Sequence, residues 1–291
     1  MDFSTNKCFP QSNPTQRKLQ ETQMEQSITP FLKWAGGKRW LTSHLDTYIA
    51  NSKFRRYIEP FLGSGAVFFS LKPKNGIISD TNQSLIETYC AIRDNHESVY
   101  SLLEQHHHYH NKEYYYRTRC TNFTSEAEAA AKFIYLNRTC WNGLYRVNKN
   151  GEFNVPIGTK TNVLLNTDNF KKISELLSKT DIKCCDFEET INRCNEGDLI
   201  FADPPYTVKH NHNGFIKYNE TIFSWDDQVR LSHALRKAHN RGAIIILTNA
   251  AHDSVRELYS DMEQVTLSRN SVIAGPKEKR GIYEELLVVA R

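Results

Sequence analysis

The chain lacks long hydrophobic runs, paired cysteines and a strong excess of charge. No apolar run approaches the roughly 20 residues of a membrane span, and residues 1–28 are polar, without the apolar stretch of a secretory signal. The seven cysteines form an odd set without a CxxC pair, which favours reduced thiols over disulfides or zinc ligation. These absences predict a cytoplasmic protein whose residues 1–28 form a flexible tail.

Motifs for metal binding and for nucleotide hydrolysis are also missing. Two histidine-rich runs, at 106–110 and 210–212, have no carboxylates or thiols at ligand spacing, so we predict no metal site. The first run is more typical of a solvated helix end. The sequence GGKR at 36–39 lacks the GxxxxGK[ST] pattern of a phosphate-binding P-loop, which argues against hydrolysis of nucleoside triphosphates.

What the chain does contain is sufficient for two structural units. Its 291 residues accommodate an α/β core and one smaller module, because domains usually hold about 100 to 200 residues. The hydrophobic fraction is 39% and the charged fraction is 24%, as in ordinary globular proteins. The net charge of +4 favours a polyanionic partner only weakly.

Short strands with polar ends predict a nucleotide-binding type of fold. Residues 56–60 predict a strand that leads into the glycine loop 61–65, and a buried helix follows from Ala66. Glycine lets a ligand approach the backbone closely, and a helix start offers free N–H groups. The next strand ends at Asp80, where such folds place the acceptor for ribose hydroxyls. Because strands and helices alternate again after residue 173, we expect a doubly wound, Rossmann-like sheet.

The tetrapeptide Asp203-Pro204-Pro205-Tyr206 directly follows the apolar strand candidate 199–202. Proline keeps itself and the preceding residue extended, so that backbone carbonyls stay available. The Asp203 carboxylate and such a carbonyl can accept both hydrogens of an exocyclic amine. The Tyr206 ring can stack on an unstacked base, worth about 1 to 3 kcal/mol. A plain proline-rich turn is the alternative interpretation of this segment.

A polar, mostly helical stretch at 85–168 interrupts the strand pattern and predicts an insert. Near its end, Asn150-Gly151 is a strong signal for a two-residue hairpin turn within 144–155. That turn would put Lys149 opposite Glu152 and Arg146 opposite Val155. A two-stranded ribbon fits the major groove of DNA, where arginine can bond guanine. A purely structural hairpin is the alternative.

Two further features lie in the second half of the chain. The strand candidate from residue 182 ends in Asp186 and Phe187. Later, a loop between strands near 265–267 and 285–289 holds Arg269, Lys279 and Arg280. These basic residues are candidates for phosphate contacts, although a solvated basic loop is equally consistent with the pattern.

Several colinear segments resemble the DNA adenine-N6 methyltransferases of the Dam type, which include the modification enzymes of GATC restriction systems. The segments are PFLKWAGGK at 30–38, EPFLGSGAVFF at 59–69, ISD at 78–80, LNRTCWNGLYRVNKNGEFNVPIG at 136–158, ADPPY at 202–206 and EELLVV at 284–289. Their order resembles class α of that family. The resemblance implies a catalytic domain at 29–84 and 169–291, a target-recognition insert at 85–168, and a prokaryotic or phage-type cytoplasmic enzyme.

The resemblance also implies ligands and site residues. S-adenosylmethionine would be bound by Trp34, Lys38, Glu59, Phe61, Gly63, Gly65, Asp80, Asp186, Phe187 and Asp203. Double-stranded DNA would be contacted by Asn142, Leu144, Arg146, Asn148, Pro156, Arg269, Lys279 and Arg280. Arg146 matches the residue that reads a guanine in GATC enzymes, so GATC is the expected site. Departures from the family pattern at Trp141, Tyr145 and Val147 leave flanking preferences open.

The expected chemistry is direct methyl transfer to a flipped-out adenine, with Asp203, Pro204, Pro205 and Tyr206 as the catalytic segment. A methyl group on a sulfonium is already activated, so no covalent enzyme nucleophile is needed. Methylation of cytosine N4 or of RNA is the nearest alternative, and a non-catalytic DNA-binding relative is another. We expect a monomer or weak dimer, and a separate restriction endonuclease as partner is left open.

Overall fold

A single seven-stranded sheet organises the protein in the computed structural model, which describes residues 28–49, 53–148, 151–208, 223–270 and 282–291. The strands are β1 Tyr57–Glu59, β2 Gly76–Asp80, β3 Thr180–Cys184, β4 Leu199–Ala202, β5 Ile244–Ala250, β6 Glu263–Asn270 and β7 Ile282–Ala290. Their order is β3-β2-β1-β4-β5-β7-β6. The five neighbouring strands β3, β2, β1, β4 and β5 are parallel, whereas β7 runs antiparallel to both β5 and β6.

Nine α-helices surround the sheet in the described part of the chain. They are α1 Thr42–Ile49, α2 Ala66–Leu71, α3 Gln83–Tyr109, α4 Lys112–Cys120, α5 Glu126–Thr139, α6 Phe170–Leu177, α7 Phe187–Asn192, α8 Trp225–Asn240 and α9 Asp253–Leu258. Short polar side chains start several of them, because these can satisfy backbone N–H groups of the first turn. Ser224, for example, forms a reciprocal capping box with Asp227 at the start of α8.

The doubly wound sheet that the sequence predicts is confirmed. Two apolar clusters cover its faces, and adjacent residues of β1 divide between them: Tyr57 belongs to one and Ile58 to the other. This division follows from the alternation of side chains along a strand. The strand order reverses between β1 and β4, and in open α/β sheets ligands bind at the carboxyl ends of strands at such a switch point.

The helical stretch between β2 and β3 is built on the sheet. Its helices α3 and α5 share one apolar cluster with residues of the sheet, from Tyr57 to Ile246. The predicted boundary between residues 84 and 85 lies inside α3, which begins at Gln83. The division into a catalytic domain and an insert therefore stays a prediction.

The first histidine run does end a helix, as expected, but one of its members is not solvated. His106 lies in the last turn of α3 and is buried. Its ring stacks on Tyr135 at 4.7 Å between centroids, and its Nδ1 atom lies 2.8 Å from the hydroxyl of Tyr114. Burial lowers the pKa of His106 to about 4, so this histidine belongs to the aromatic packing of the helical stretch.

The hairpin exists, but the predicted register is wrong by one residue. The Asn148 N–H donates to the Glu152 carbonyl at 2.8 Å, and the Asn154 N–H donates to the Arg146 carbonyl at 3.2 Å. Arg146 therefore faces Asn154 and not Val155.

Gly151 explains the difference. Its N–H donates to the Asn148 carbonyl at 3.0 Å, and its φ of 79° suits the final, left-handed position of a three-residue hairpin loop. The Asn-Gly pair marks the turn correctly, but it does not fix the length of the loop.

Two other predictions about strand ends change. β3 ends at Cys184, and Asp186 caps α7 by accepting the Glu188 N–H at 2.9 Å. Arg269 lies in β6 and not in a loop. The Arg269 side chain, Lys279 and Arg280 are outside the described residues, as is the predicted tail before residue 28.

Candidate active site

The predicted cofactor residues lie together at the carboxyl ends of the parallel strands. The glycine loop follows β1, Asp80 ends β2, Asp186 follows β3 and Asp203 follows β4. Because these four parallel strands are neighbours in the sheet, their carboxyl ends lie side by side. Residues more than 120 positions apart in the sequence, such as Asp80 and Asp203, thereby contribute to a single site.

Asp80 holds the glycine loop against β2. One carboxylate oxygen accepts the Gly63 N–H at 3.0 Å, and the other accepts the Asn82 N–H at 3.0 Å. Burial raises the pKa of Asp80, and these backbone bonds oppose the shift. Because each carboxylate oxygen can accept more than one hydrogen bond, Asp80 retains capacity for a bound hydroxyl.

Trp34 covers the same loop. A Cβ atom added at Gly63 would lie 2.7 Å from Trp34 Cδ1, and Gly63 has a φ of 48°. Trp34 itself precedes a tight turn, in which the Gly37 N–H donates to the Trp34 carbonyl at 3.2 Å. The indole and the loop backbone are therefore in direct contact, and Gly63 leaves no space for a side chain.

Glu59 lies beneath this loop, at the end of β1. It is only 2% exposed and accepts a hydrogen bond from the Tyr57 hydroxyl at 2.8 Å. Burial raises the pKa of Glu59 well above its usual value, against the effect of the Tyr57 bond, and the charges of Asp203 and Asp80 add to the increase. Its predicted contact with the cofactor stays a prediction.

Three aromatic rings pack together beside the glycine loop. Phe61 stacks on Phe187 at 5.4 Å between centroids, and Phe223 packs against both rings. The guanidinium of Arg230 lies 4.5 Å from the centre of the Phe187 ring and pairs with Asp186 at 2.8 Å. Phe61, Phe187 and Asp186 are thus brought together as the sequence predicts.

The Asp-Pro-Pro-Tyr corner contains a buried ionic cluster. The Lys38 ammonium, 4% exposed, lies 3.1 Å from Asp203 Oδ1 and 3.4 Å from Glu285 Oε2. Thr248 also donates to Asp203 Oδ1, at 2.7 Å. Burial raises the pKa of Asp203, Lys38 and Thr248 oppose this, and Glu285 adds to it. With one ammonium between two carboxylates, these three groups carry a formal charge of minus one.

Neighbouring polar groups fix the prolines. Gln228 on α8 donates to the Pro205 carbonyl at 3.2 Å, and Asn249 donates to Gln228 at 2.9 Å. Among the described residues, no hydrogen-bond donor reaches the Pro204 carbonyl. The corner therefore presents the Asp203 carboxylate next to an available backbone carbonyl.

Sequence reasoning missed Thr248, Gln228 and Glu285. Thr248 is placed by the pairing of β4 with β5, and Gln228 by the packing of α8, neither of which local sequence reveals. A signal did exist for Glu285, since it is an acidic residue beside the wholly apolar run 286–290 of a strand at the sheet interior. A buried carboxylate at such a position needs a partner.

The hairpin presents the predicted DNA-binding residues on an exposed surface. Arg146 is exposed, and its Nε donates to Asn154 Oδ1 at 2.9 Å, which fixes the plane of the guanidinium. Asn142, Leu144 and Pro156 are also exposed, whereas Asn148 is half-buried and donates to Glu152 at 2.8 Å.

The Trp34 segment contacts both the hairpin and helix α5. The indole of Trp34 stacks on Tyr145 at 5.4 Å between centroids. The fully buried Asn137 accepts the Lys33 N–H at 2.8 Å and donates to the Lys33 carbonyl at 2.8 Å. The segment that carries Trp34 and Lys38 is therefore anchored to the helical stretch.

In the part of the chain that the structure describes, no helix is both long and apolar enough to span a membrane. No group of three or more His, Cys, Asp or Glu side chains could hold a metal ion, again among the described residues. A shallow cavity of about 340 Å³ lies between α3 and the start of α6, away from the sheet edge.

The sheet is Rossmann-like, and its candidate site lies at the switch point between β1 and β4. Residues 34–273 match the model of the D12 class of N6 adenine-specific DNA methyltransferases, and the chain belongs to this family. It is an adenine-specific DNA methyltransferase, and its substrate is DNA.

Curated relatives are similar over nearly the whole chain. The type II methyltransferase M1.LlaDCHI of Lactococcus lactis subsp. cremoris is 35% identical, covering 90% of this chain and 95% of its own length. M.MjaIII of Methanocaldococcus jannaschii is 36% identical over 90% and 99%. The DNA adenine methylase of Haemophilus influenzae is 29% identical over 89% and 93%. A solved putative RNA methyltransferase from Pyrococcus horikoshii covers 94% of this chain and 97% of its own, with 8% identity and a TM-score of 0.40, too distant to inform on function.

Proposed function

We propose that this enzyme uses S-adenosylmethionine to methylate N6 of an adenine flipped out of duplex DNA, within the sequence GATC. The observation that carries the proposal is the corner at the end of β4. There the Asp203 carboxylate lies beside the Pro204 carbonyl, which accepts no hydrogen bond from the described residues. Two acceptors so placed match the two hydrogens of an exocyclic amine.

The residues at the sheet edge fit S-adenosylmethionine chemically. The half-buried Phe61 ring, which stacks on the buried Phe187, offers an apolar face for a base, and Asp80 can accept ribose hydroxyls. The net negative cluster of Lys38, Asp203 and Glu285 complements a ligand that carries a sulfonium and an ammonium. Trp34, Gly63 and Gly65 would close the site around it. When bound, this cofactor supplies a methyl group that its sulfonium has already activated.

The role of Asp203 and Pro204 is to orient the amine. Adenine N6 is a weak nucleophile because its lone pair is delocalised into the ring. Accepting both amine hydrogens favours a pyramidal nitrogen, whose lone pair is then available for reaction. The carboxylate also stabilises the positive charge that develops on the nitrogen during alkylation. Asp203 makes its contacts with Lys38 and Thr248 through Oδ1, so neither of them uses Oδ2.

Base flipping is required because the corner is recessed. Asp203 is 18% exposed and Pro204 is buried, so an adenine still stacked in a duplex could not reach them. Extrusion of a base costs a few kcal/mol. Stacking on the half-buried Tyr206 ring would recover about 1 to 3 kcal/mol of this.

GATC as the target rests on the hairpin. Arg146 occupies the position that reads guanine in the GATC enzymes that the sequence resembles. The structure supports the proposal because the guanidinium is exposed and is held through Nε by Asn154. Its two terminal amino groups take no part in that bond, and a fork of this kind can bond guanine O6 and N7.

Methylation of mixed-sequence DNA, followed by mapping of the modified bases, tests base, strand form and site together. We expect N6-methyladenine in GATC of duplex DNA. In parallel, Asp203→Asn should abolish turnover while duplex binding survives, because one acceptor of the amine is lost. Asp226→Asn, an exposed aspartate at the start of α8, is the matched control. Undiminished turnover of Asp203→Asn would refute the mechanism, and a different methylated sequence would refute only the assignment of GATC.

A further inference from the structure

Glu285 is a buried acid of the corner, and the chemistry above uses only its negative charge. It lies on β7 and is 4% exposed. Its Oε2 atom accepts a hydrogen bond from the Tyr206 hydroxyl at 2.8 Å and lies 3.4 Å from the Lys38 ammonium. It therefore contacts the proposed stacking ring and the cation that pairs with Asp203.

The position of Glu285 follows from the sheet. β7 pairs antiparallel with β5, and Glu285 faces Ala250 near the end of β5 that carries Thr248. Side chains alternate along a strand, so the preceding Glu284 is exposed while Glu285 points inward. An inward carboxylate is costly unless it is paired and hydrogen-bonded, and the contacts of Glu285 with Tyr206 and Lys38 belong to the corner.

We propose that Glu285 is a positioning residue for methyl transfer, which holds the Tyr206 ring and the Lys38 ammonium in place relative to Asp203. The inference rests on the proposed function, because it assigns Asp203 and Tyr206 the roles given above. Glu285 does not itself contact the substrate in this proposal.

The Lys38 contacts show how such positioning works. Its ammonium has three hydrogens and three oxygen neighbours: the Gly36 carbonyl at 2.7 Å, Asp203 at 3.1 Å and Glu285 at 3.4 Å. Sharing the ammonium between two carboxylates limits how strongly it holds Asp203. Without the charge of Glu285, the ammonium would pair with Asp203 alone and compete with the amine of the target base.

Tyr206 is oriented by the same carboxylate. Its hydroxyl donates to Glu285, and its ring lies 4.9 Å from the Lys38 ammonium. The ring is thus fixed at its rim by Glu285 and at its face by Lys38. A ring held in this way is ready to receive a base, whereas a freely rotating ring would lose part of the stacking interaction when it becomes ordered.

Glu285→Gln tests the proposal, because glutamine keeps the volume and one acceptor but removes the charge. Misplacement of groups by about 1 Å can slow catalysis by about 100-fold, and for the smaller displacement expected here we predict a fall in kcat of about 10- to 100-fold. KM for DNA should change by less than about threefold, because Glu285 does not contact DNA in this proposal. Binding of S-adenosylmethionine should weaken, because the variant removes one negative charge from the cluster of Lys38, Asp203 and Glu285. Glu284→Gln, its exposed neighbour on the same strand, is the control and should match the wild type.

Two further measurements separate positioning from a loss of fold. Fluorescence of 2-aminopurine at the target adenine should show altered stacking of the flipped base in Glu285→Gln at unchanged Tm. Combining Glu285→Gln with Tyr206→Phe should give less than the product of the two single effects, because the two variants disrupt one shared contact.

Equal kcat in Glu285→Gln and Glu284→Gln would overturn the proposal, and so would fully multiplicative effects in the double variant. A lowered Tm with unchanged 2-aminopurine fluorescence would also overturn it, since Glu285 would then be merely structural. If Asp203→Asn retained activity, the proposed function would fail instead, whatever Glu285→Gln showed.

Discussion

Gly63 offers a direct test of how tightly the glycine loop is packed against Trp34. Its φ of 48° is in the left-handed region, and an added Cβ would lie 2.7 Å from Trp34 Cδ1 and 3.0 Å from Nε1. Gly151 in the hairpin has a φ of 79°, but a Cβ added there would meet no atom within 4 Å. Alanine at Gly63 therefore adds strain and a clash, whereas alanine at Gly151 adds strain alone.

The costs of the backbone strain and of the steric clash can be estimated separately. A left-handed conformation costs an alanine about 1 to 2 kcal/mol, and both variants bear this cost. Alanine also lowers the conformational entropy of the unfolded chain, which offsets about 0.4 to 1 kcal/mol of this cost in each variant. The clash applies only to Gly63→Ala and costs about 1 to 3 kcal/mol, as overpacking of a filled site does. The Trp34 ring cannot yield freely, because it also stacks on Tyr145.

Equilibrium unfolding in urea measures the difference. Gly63→Ala should lose about 1 to 3 kcal/mol more of the free energy of unfolding than Gly151→Ala. Calorimetric titration with S-adenosylmethionine should also show weaker binding to Gly63→Ala, because the displaced indole belongs to the proposed cofactor site. Gly151→Ala should bind the cofactor as the wild type does. Equal losses of stability together with equal cofactor affinities would refute this account of the loop.

Two further predictions concern charge. Asp198 is fully buried and accepts bonds from Arg56 at 2.6 and 3.1 Å; burial alone would raise its pKa, but Arg56 and other donors hold it below the usual value. Asp198→Asn should therefore lose about 2 kcal/mol of unfolding free energy at pH 7. Because the pKa of Asp198 is lower in the folded state than in the unfolded state, the stability advantage of the wild type over Asp198→Asn is complete above about pH 4 and is lost as the pH falls through the folded pKa. Urea unfolding at pH 7, 5 and 3 measures this difference in unfolding free energy. A difference that stayed constant over the three pH values would contradict the prediction. Arg146→Ala should weaken specific DNA binding by about 1 to 3 kcal/mol and relax the choice of one guanine, while Arg93→Ala on α3 should not; an unchanged methylation pattern would exclude the hairpin as the reader of that base.

Much of the sheet could be predicted because its strands are short apolar runs that end in distinctive residues. The strand before the glycine loop, the acid that ends β2 and the tetrapeptide after β4 are all found where the sequence predicts them. Parallel strands bring their carboxyl ends together whatever the distance in sequence. The convergence of Asp80, Asp186 and Asp203 therefore follows from strand order alone.

The details that could not be predicted depend on contacts between distant segments. Whether the hairpin loop has two or three residues depends on a left-handed glycine that either length can use, so Arg146 faces Asn154 against expectation. His106 is likewise buried although the sequence predicts a solvated helix end, because its aromatic neighbours Tyr114 and Tyr135 come from two later helices. Periodicity within one helix does not identify the elements that pack against it.

The corner shows why the antiparallel strand matters for chemistry as well as for topology. Without β7 between β5 and β6, there would be no Glu285 beside Thr248. Lys38 would then pair with Asp203 alone. The insertion of β7 supplies Glu285 from a segment 79 residues after Tyr206, and divides the ammonium between two carboxylates. In the proposed mechanism, a buried one-to-one ion pair between Lys38 and Asp203 would occupy the carboxylate that has to accept the amine of the target base. In the proposed mechanism, the additional negative charge of Glu285 would leave the Asp203 carboxylate with capacity to bind that amine.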